Sequence, residues 1–376
     1  MLEVLRFWFT KDLKYVKGKP CKPYNSTLGE FFRVRCINSI DICPLMPVQC
    51  TWEVEDTAAP ISATSISAGA RGKELKVNYL TEQTSHHPPV SAFYIDCPQR
   101  GVTARGFDQI TAKFTGTSIR VSPGEHNLGI FVNIEPRDNE EYQLTHPSAH
   151  LGGLLRGALS ISVADACFVT CPRTRIKAIL QYLEESWIGR SQYRVEGVIF
   201  RYNPEKNTVT KIKDVPQSDV LARINGSWHG KIYFTKTTVS SSSASLSTAP
   251  ATPSSPLSTE QPQLLIDITP LLPVAKKLPP EEDQLPNESR KFWHDVTTAI
   301  LEKRFGDATN LKHDIEERQR QKAAERKENH EEWKPRFFVG AVTPLGKPEL
   351  TEEGRYVLQK LHENDYKLEK SRILGA

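Results

Sequence analysis

The sequence predicts a β-rich α+β protein in which a long run of strands lies between an N-terminal helix and C-terminal helices. Between about residues 30 and 233, short runs of alternating apolar and polar residues are broken by Gly, Pro, Asn and Asp. The clearest runs are residues 118–121, 129–134 and 192–202. Many short strands of this kind are typical of a sheet-rich barrel or sandwich.

The N-terminal helix is predicted over residues 1–15. Its apolar residues, at a spacing typical of a helix, are Leu2, Leu5, Phe9 and Leu13. This pattern favours an amphipathic helix that packs on the core of the protein over a helix that inserts into a membrane.

Two more helices are predicted after the strands. In residues 289–304, Phe292, Val296 and Ile300 share one helical face, whereas residues 311–332 form a long charged segment with hardly any apolar side chain. Residues 264–280, which precede both helices, have an irregular pattern.

Charge and hydropathy limit the classes of partner. The 376 residues include 49 Lys and Arg against 45 Asp and Glu, a formal net charge of +4. This excess is too small to indicate nucleic-acid binding, but it permits weak attraction to anionic membrane surfaces. The sequence has no run of roughly 20 apolar residues that could span a bilayer, and its N-terminus lacks a signal-peptide pattern. We therefore expect a cytosolic protein.

The cysteines do not predict a metal centre or a disulfide framework. There are seven, without a Cys-x-x-Cys pair: Cys36, Cys43 and Cys50 are seven residues apart, and Cys167 and Cys171 are four apart. Zinc sites use tighter pairs together with histidines, and disulfides are rare in cytosolic proteins. We expect reduced structural thiols and no metal or other cofactor.

Residues 82–89, Glu-Gln-Thr-Ser-His-His-Pro-Pro, contain the strongest functional signal. A strand points neighbouring side chains to opposite faces, and two successive prolines end regular hydrogen bonding. His86 and His87 are therefore expected at a rigid strand end, where both imidazoles can reach one ligand. Imidazoles are good hydrogen-bond partners for an anionic oxygen and titrate near neutral pH.

The long charged segment contains a second candidate group. Lys312, Glu316 and Arg320 are spaced i, i+4 and i+8, so they fall within about 80° of one another around a helix. Side chains in this arrangement can form a solvated face with salt bridges that are worth only tenths of a kcal/mol. Alternatively, they can bind an anionic ligand together.

Residues 82–89 closely resemble the signature of the oxysterol-binding-protein-related lipid transfer family, in which Val is usual at the position of Thr84. Residues 22–30 (Lys-Pro-Tyr-Asn-Ser-Thr-Leu-Gly-Glu) are similar to a second element of that family, with Ser26 in place of its usual Pro. Further similar elements are residues 226–231, 289–293, 312–320 and 333–337. The resemblance covers residues 1–340, and residues 341–376 form a C-terminal tail without a match.

Two segments look like insertions in this family pattern. Residues 237–262 are rich in Ser, Thr, Pro and Ala and almost uncharged, so they bury too little apolar surface to become ordered, and we predict a disordered insertion. Residues 34–49 interrupt a region that the family crosses almost directly. They begin with Val and end with Gln, as translated splice sites commonly do. A retained intron or gene-model error and a genuine surface loop both fit this second segment.

The resemblance implies that residues 1–340 form one lipid-binding domain. Its fold would be a large, antiparallel, near-complete β-barrel that encloses a lipid tunnel. Family members also carry a lid segment before the helix with which this sequence begins. Because the lid is missing here, we expect an open tunnel mouth and reduced lipid retention or solubility.

In the family, the motif residues bind the head group of phosphatidylinositol 4-phosphate at the tunnel mouth. A phosphomonoester of this kind carries a charge of about −1.5 to −2 near neutral pH, and charge-assisted hydrogen bonds suit it. The matching residues of this sequence are Lys22, Asn25, Glu30, His86, His87, Lys312, Glu316 and Arg320.

The resemblance also implies a role for each of these residues. His86, His87 and Arg320 would hold the 4-phosphate, and Lys22 and Asn25 would contact the inositol ring or its phosphates. Lys312 would add positive charge. Glu30 and Glu316 would orient the cations and accept hydrogen bonds from inositol hydroxyls.

The implied function is transport rather than catalysis. The protein would exchange phosphatidylinositol 4-phosphate for a sterol, or for phosphatidylserine as in some family members, while attached peripherally at membrane contact sites as a monomer. The sequence lacks a nucleophile–base pair and a Gly-rich phosphate loop, so we predict that it is not an enzyme. Two alternatives remain: a lipid sensor or scaffold without transfer activity, and a phosphoinositide phosphatase that uses His86 and His87 as metal ligands or acid–base groups.

Overall fold

The computed structural model describes residues 1–11, 13, 24–38, 75–116, 118–152, 160–184, 192–237, 260–273 and 276–368. Within these residues the helices are α1 (Leu2–Thr10), α2 (Ser289–Phe292), α3 (His294–Leu301), α4 (Phe305–Glu328) and α5 (Glu352–Glu363). None of these described helices is both long and apolar enough to cross a bilayer.

Strands make up most of the described residues between α1 and α2. They are β1 (Phe31–Asn38), β2 (Leu75–His86), β3 (Pro89–Cys97), β4 (Val102–Asp108), β5 (Ile110–Phe114), β6 (Ile119–Pro123), β7 (Ile130–Ile134), β8 (Glu140–Leu144), β9 (Ser148–Gly152), β10 (Ser160–Ala164), β11 (Ala166–Cys171), β12 (Ile176–Tyr182), β13 (Arg194–Arg201), β14 (Val220–Ser227), β15 (Lys231–Lys236), β16 (Gln263–Asp267) and β17 (Lys276–Lys277).

Thirteen strands form one antiparallel sheet in the order β16-β15-β14-β13-β12-β11-β8-β7-β4-β3-β2-β1-β17. The other four form a small sheet in the order β10-β9-β6-β5. Each strand of the small sheet adjoins, along the chain, one of four neighbouring strands of the large sheet: β5 follows β4, β6 precedes β7, β9 follows β8 and β10 precedes β11. The small sheet is therefore a bent continuation of the middle of the large one.

Strand β12 shows how the large sheet separates its two faces. Ala178, Leu180 and Tyr182 belong to the main core, whereas Ile179 packs on the opposite face with Val198 of β13. Alternate side chains of a strand point to opposite faces, which explains the split between the two apolar clusters.

The main core follows the large sheet almost from end to end. It includes Val34 of β1 and Leu265 of β16, which lie near opposite ends of the strand order. Thirteen strands at a spacing of about 4.8 Å extend for roughly 60 Å, far more than a short helix can cover, so the sheet curls and its strands cover one another. The predicted β-rich α+β fold with a large barrel-like sheet is confirmed, and among the described strands the ladder is open between β16 and β17.

Helix α1 lies in this core. Its side chains that are at most 4% exposed are Val4, Leu5, Phe7, Trp8, Phe9 and Thr10. Most of the helix is therefore buried, while Glu3 and Arg6 form an ion pair on its polar side. Trp8 adds a hydrogen bond from its indole N–H to the Tyr182 hydroxyl at 3.0 Å. The prediction of an N-terminal helix packed on the core is confirmed.

The predicted helix at residues 289–304 is divided at Trp293 into α2 and α3. Its buried side chains are Trp293, Val296 and Ala299, while Ile300 is 40% exposed, so the predicted apolar face was wrong at Ile300. The Trp293 indole donates to the buried Glu30 carboxylate, and this bond orients the helix with Ile300 toward water.

Two boundaries also differ from prediction. Helix α4 begins at Phe305 rather than near residue 311. Residues 264–280, predicted to be irregular, contain most of β16 and all of β17. Strand β16 lacks clear alternation because it is short, and its pairing with β15 gives it its extended form.

The C-terminal residues complete a second apolar cluster on β1 and β2. Phe337, Leu350 and Leu361 pack there with Phe31 and Leu80. Residues 34–38 of the segment predicted as an insertion continue β1 and pair with β2; residues 39–49 lie outside the described residues, as do residues 238–259 of the Ser/Thr/Pro-rich segment.

Candidate functional site

The histidine pair lies at the tip of a β-hairpin. His86 is the last residue of β2, His87 and Pro88 form the turn, and Pro89 begins β3 opposite His86. Both imidazoles are exposed, and their ring centroids are 4.6 Å apart with the planes inclined at 66°. The two rings can therefore reach one ligand, as the sequence predicted, although the second proline starts a new strand instead of ending the sheet.

The charge state of His86 suits an anion that arrives from solution. Partial burial, and then the neighbouring His87, lower the pKa of His86, which favours the neutral ring in the absence of a ligand. Gln83 Nε2 lies 3.1 Å from His86 Nδ1. A hydrogen bond donated by this amide leaves the proton on Nε2, which is then the N–H donor of the ring.

The early motif runs beside this strand end. The backbone N–H of Gly29 donates to the Gln83 carbonyl at 3.0 Å, and the Gln83 N–H donates to the Glu30 carbonyl at 2.8 Å. Gly29 has a φ of +74°, in the left-handed region that favours glycine. Gln83 therefore connects the motif at residues 22–30 to His86, since it contacts both. Asn25 is exposed, and Lys22 lies outside the described residues.

Glu30 is a buried structural residue in this arrangement. It is 6% exposed, and its carboxylate accepts hydrogen bonds from Trp293 Nε1 at 3.0 and 3.1 Å and from the Thr27 N–H at 3.0 Å. Burial raises the pKa of Glu30, and these donors partly offset the rise. Glu30 therefore attaches the early loop to α2 and α3, and its role in orienting cations stays a prediction.

Aromatic stacking strengthens the same attachment. The Tyr24 ring lies 4.6 Å from the Trp293 ring, with 7° between the planes, and its hydroxyl is 2.8 Å from the Thr297 hydroxyl. Asn287 Nδ2 also donates to the Gly29 carbonyl at 2.9 Å. Residues 24–30 are thus held between β2 on one side and α2–α3 on the other.

Helix α4 carries the third candidate group as a row of surface ion pairs. Lys312 pairs with Glu316 at 2.7 Å, whereas Arg320 pairs with Glu317 at 2.9 Å rather than with Glu316. The hydrogen bond from Lys312 lowers the pKa of Glu316. Ile315 shares an apolar cluster with Trp293, which attaches α4 to the same assembly.

These charged groups do not touch the histidines in the described residues. Neither His86 nor His87 has a hydrogen bond or ion pair with Lys312 or Arg320 there. Within the same residues, no three His, Cys, Asp or Glu side chains are grouped as metal ligands. The early motif therefore contacts the histidine strand β2 directly. Helix α4 is connected to these two segments only indirectly, through Trp293, among the described contacts.

The buried half of the residue 82–89 motif has a role that the sequence did not suggest. Glu82 accepts hydrogen bonds from the N–H groups of Arg336 and Phe337, both at 2.8 Å. The Thr84 hydroxyl donates to the Ala341 carbonyl at 2.6 Å. The Trp333 ring lies 3.5 Å from where a Cβ on Gly29 would be, an ordinary contact distance, so the left-handed backbone of Gly29 and not a lack of space favours glycine there. The C-terminal segment therefore closes over the same strand end.

Comparison with known proteins identifies the family. The family model described as oxysterol-binding protein matches residues 1–367. Oxysterol-binding protein-like protein 1 of Schizosaccharomyces pombe is 38% identical over 97% of this chain and 80% of the relative. The chain belongs to the oxysterol-binding protein family. The match extends past residue 340, where the resemblance was predicted to end.

More distant family members show the same relation over a smaller share of their length. Oxysterol-binding protein-related protein 9 of Mus musculus is 28% identical over 90% of this chain, which spans 39% of that protein. Among solved structures, the Osh1 ORD domain in complex with ergosterol has a TM-score of 0.59 at 19% identity, covering 97% of this chain and 75% of that one. The Osh3 ORD of Saccharomyces cerevisiae in complex with PI(4)P has a TM-score of 0.54 at 15% identity, covering 97% and 77%. These structures share the fold.

Proposed function

We propose that this chain is a lipid transfer module that binds phosphatidylinositol 4-phosphate and exchanges it for a sterol or phosphatidylserine between membranes. The observation that carries the proposal is the pair of backbone hydrogen bonds between Gln83 and residues 29–30. They bring the early motif to the strand end that bears His86 and His87. Two motifs that bind one head group in the family are thus adjacent here.

The charges near this strand end suit a phosphomonoester. Two exposed imidazoles would donate N–H groups to the 4-phosphate, and its negative charge would favour their protonated forms. Arg320 and Lys312 now occupy ion pairs in which every side chain is more than 40% exposed. Such surface pairs are worth about 0–1 kcal/mol, less than about 1.5–3 kcal/mol for a hydrogen bond to a charged group, so a phosphate can replace them.

The curled sheet suits the apolar part of the cargo. A diacyl lipid or sterol that leaves a membrane exposes some twenty to thirty carbons, at a cost on the order of 20 kcal/mol. An apolar interior removes most of this cost without any covalent step, so no catalysis is required. The complexes of the Osh1 ORD with ergosterol and of the Osh3 ORD with PI(4)P support both kinds of cargo for this fold. The proposed setting is the cytosolic side of membrane contact sites, with the protein acting as a monomer.

Lipid exchange between two vesicle populations tests this function. The paired substitution His86→Ala with His87→Ala should lower extraction of phosphatidylinositol 4-phosphate about tenfold or more, because the phosphate loses its imidazole donors. Sterol transfer should be less affected, since an apolar ligand needs the walls and not the anion clamp.

A matched arginine pair provides the control. Arg320→Ala should weaken phosphoinositide extraction, whereas Arg173→Ala should not. Both arginines are exposed members of surface ion pairs, but Arg173 lies in the β11–β12 turn, at the opposite end of the strands from the histidine tip. Normal phosphoinositide extraction by the double histidine variant would refute the proposed site. Mass spectrometry of the lipids that co-purify with the protein would identify the second cargo.

A further inference from the structure

The small sheet presents an apolar face that is open to solvent. On β5, Ile110 and Phe114 are each 67% exposed. Their cross-strand partners on β6 are Pro123 and Ile119, and Ala112 lies between them on the same face. Isolated apolar side chains are common on protein surfaces, but a contiguous apolar patch marks an interaction surface.

The apolar face continues across the rest of the small sheet. In the register, Val121 and Ile119 of β6 lie opposite Ala149 and Leu151 of β9. The same two β9 residues lie opposite Val163 and Ile161 of β10. These side chains are half-buried, and Val163 at the β10 end packs against the main core. The β5–β6 hairpin is the most exposed edge of this face, because β5 pairs with β6 alone among the described strands.

The opposite face of the hairpin is cationic. Lys113 and Arg120 are directly opposite each other in the register, and residues 109–124 contain no acidic residue. Arg120 pairs with Asp165 at 2.7 Å, whereas Lys113 has no ion pair within the described residues. Two like charges side by side are unfavourable unless an anionic partner approaches them.

The hairpin projects from the end of the sheet that bears the histidines. In the ladders, His86 is opposite Pro89, and Ser91 is opposite Asp108. Strand β4 therefore ends about two residues from the histidine turn, and β5 begins at Ile110, just beyond that level.

We propose that the β5–β6 hairpin is a membrane-docking element that enters the interface of an anionic bilayer. Ile110 and Phe114 would insert among the lipid chains, while Lys113 and Arg120 remain among anionic head groups. An element that is apolar on one face and cationic on the other can lie in the interface of an anionic membrane. Docking here would bring the histidine end of the sheet to the bilayer from which a lipid is taken.

Vesicle flotation tests the proposal without any cargo. The vesicles contain three parts phosphatidylcholine to one part phosphatidylglycerol, with no sterol and no phosphoinositide. The variant with Ile110→Ser and Phe114→Ser should bind these vesicles about tenfold more weakly or worse than the wild type, whereas Phe114→Trp should retain binding. Lys113→Glu should weaken binding to these vesicles but have little effect on vesicles of phosphatidylcholine alone.

A further variant makes the result specific. Leu301→Ser removes a side chain that is 77% exposed outside the small sheet and should leave flotation unchanged. Because the vesicles contain no phosphoinositide, failure of docking is distinguishable from failure of the proposed head-group site, which the extraction assay tests.

Three outcomes would overturn the docking proposal. The first is equal flotation of the wild type and the Ile110→Ser, Phe114→Ser variant. The second is an equal loss in Leu301→Ser, which would show that the hairpin is not specific. The third is a wild-type dimer in sedimentation that the hairpin variant dissociates, which would assign the apolar face to a second copy of the chain.

Discussion

At the scale of single residues, the histidine motif divides into a buried half that holds the strand end in place and an exposed half that we propose binds the ligand. Glu82, Gln83 and Thr84 are 1%, 4% and 1% exposed; Glu82 and Thr84 bond the C-terminal segment at residues 336–341, and Gln83 bonds the early loop at residues 29–30. A fully satisfied buried polar network makes a site rigid. The exposed imidazoles of His86 and His87 are therefore held on a strand end that the early loop and the C-terminal segment fix in place.

Glu82 predicts a specific dependence of stability on pH. Burial raises its pKa from 4.5 to about 7, despite the hydrogen bonds that it accepts from two backbone N–H groups. The folded protein therefore keeps the proton to a higher pH than the unfolded chain, so ionisation of Glu82 lowers the free energy of unfolding as pH rises from about 4.5 to about 7. Glu82→Gln abolishes this loss. The free energy of unfolding of Glu82→Gln, relative to that of the wild type, should therefore be higher at pH 8 than at pH 5 by up to about 3 kcal/mol.

Urea denaturation at the two pH values measures this difference. Asp96, whose pKa burial also raises to about 6, titrates in both proteins, so its effect cancels. A stability difference that is the same at both pH values would show that Glu82 is already ionised at pH 5.

At the scale of elements, Trp293 couples the early loop to the helices. Its indole donates to Glu30, its ring stacks on Tyr24, and it shares an apolar cluster with Ile315 of α4. Trp293→Phe keeps most of the packing but removes the donor from a buried carboxylate, which should cost about 1–3 kcal/mol of stability. Phosphoinositide affinity should fall with it, because the loop at residues 24–30 loosens.

A double-mutant cycle with Glu30→Met, which removes both acceptor oxygens, isolates this hydrogen bond. The two substitutions should be clearly non-additive in urea denaturation, since each removes the same interaction. Additive effects would mean that the Trp293–Glu30 bond does not carry the coupling, and that stacking alone holds the loop.

At the scale of the whole molecule, the C-terminal residues are part of the fold. Phe337, Leu350 and Leu361 cover Phe31 and Leu80 of the sheet. The guanidinium of buried Arg35 donates to the Leu361 carbonyl and to Asn364. The residues after 340 thus bury both apolar surface and a charge.

Truncation tests this role of the tail. A chain that ends at residue 340 should lose several kcal/mol, since each uncovered large apolar side chain costs about 1.5–3 kcal/mol and Arg35 loses its partners. Thermal melting and binding of a hydrophobic dye would report the loss, and a chain that ends at residue 368 should behave like the full chain. A 1–340 chain with the same melting transition as the full chain would show that the tail is dispensable.

Local patterns predicted local structure well. The alternating runs became β6, β7 and β13, and the helical spacing of residues 1–15 became α1. They failed where pairing or packing decides: β16 became a strand because β15 pairs with it, and Ile300 turned outward because Trp293 bonds Glu30. Arg320 pairs with Glu317 rather than with Glu316, because carboxylates three and four residues before an arginine on a helix compete for its guanidinium.

The sequence alone determined the family, the strand-rich class and the exposed histidine pair, because alternation and contiguous motifs are local properties. Only the tertiary structure decided how the motifs meet. The partners of Glu82 and Glu30 lie about 250 residues away along the chain, and no periodicity specifies which distant N–H group will satisfy a buried carboxylate. That choice arises when the curled sheet brings the two ends of the chain together and excludes water from the polar groups between them.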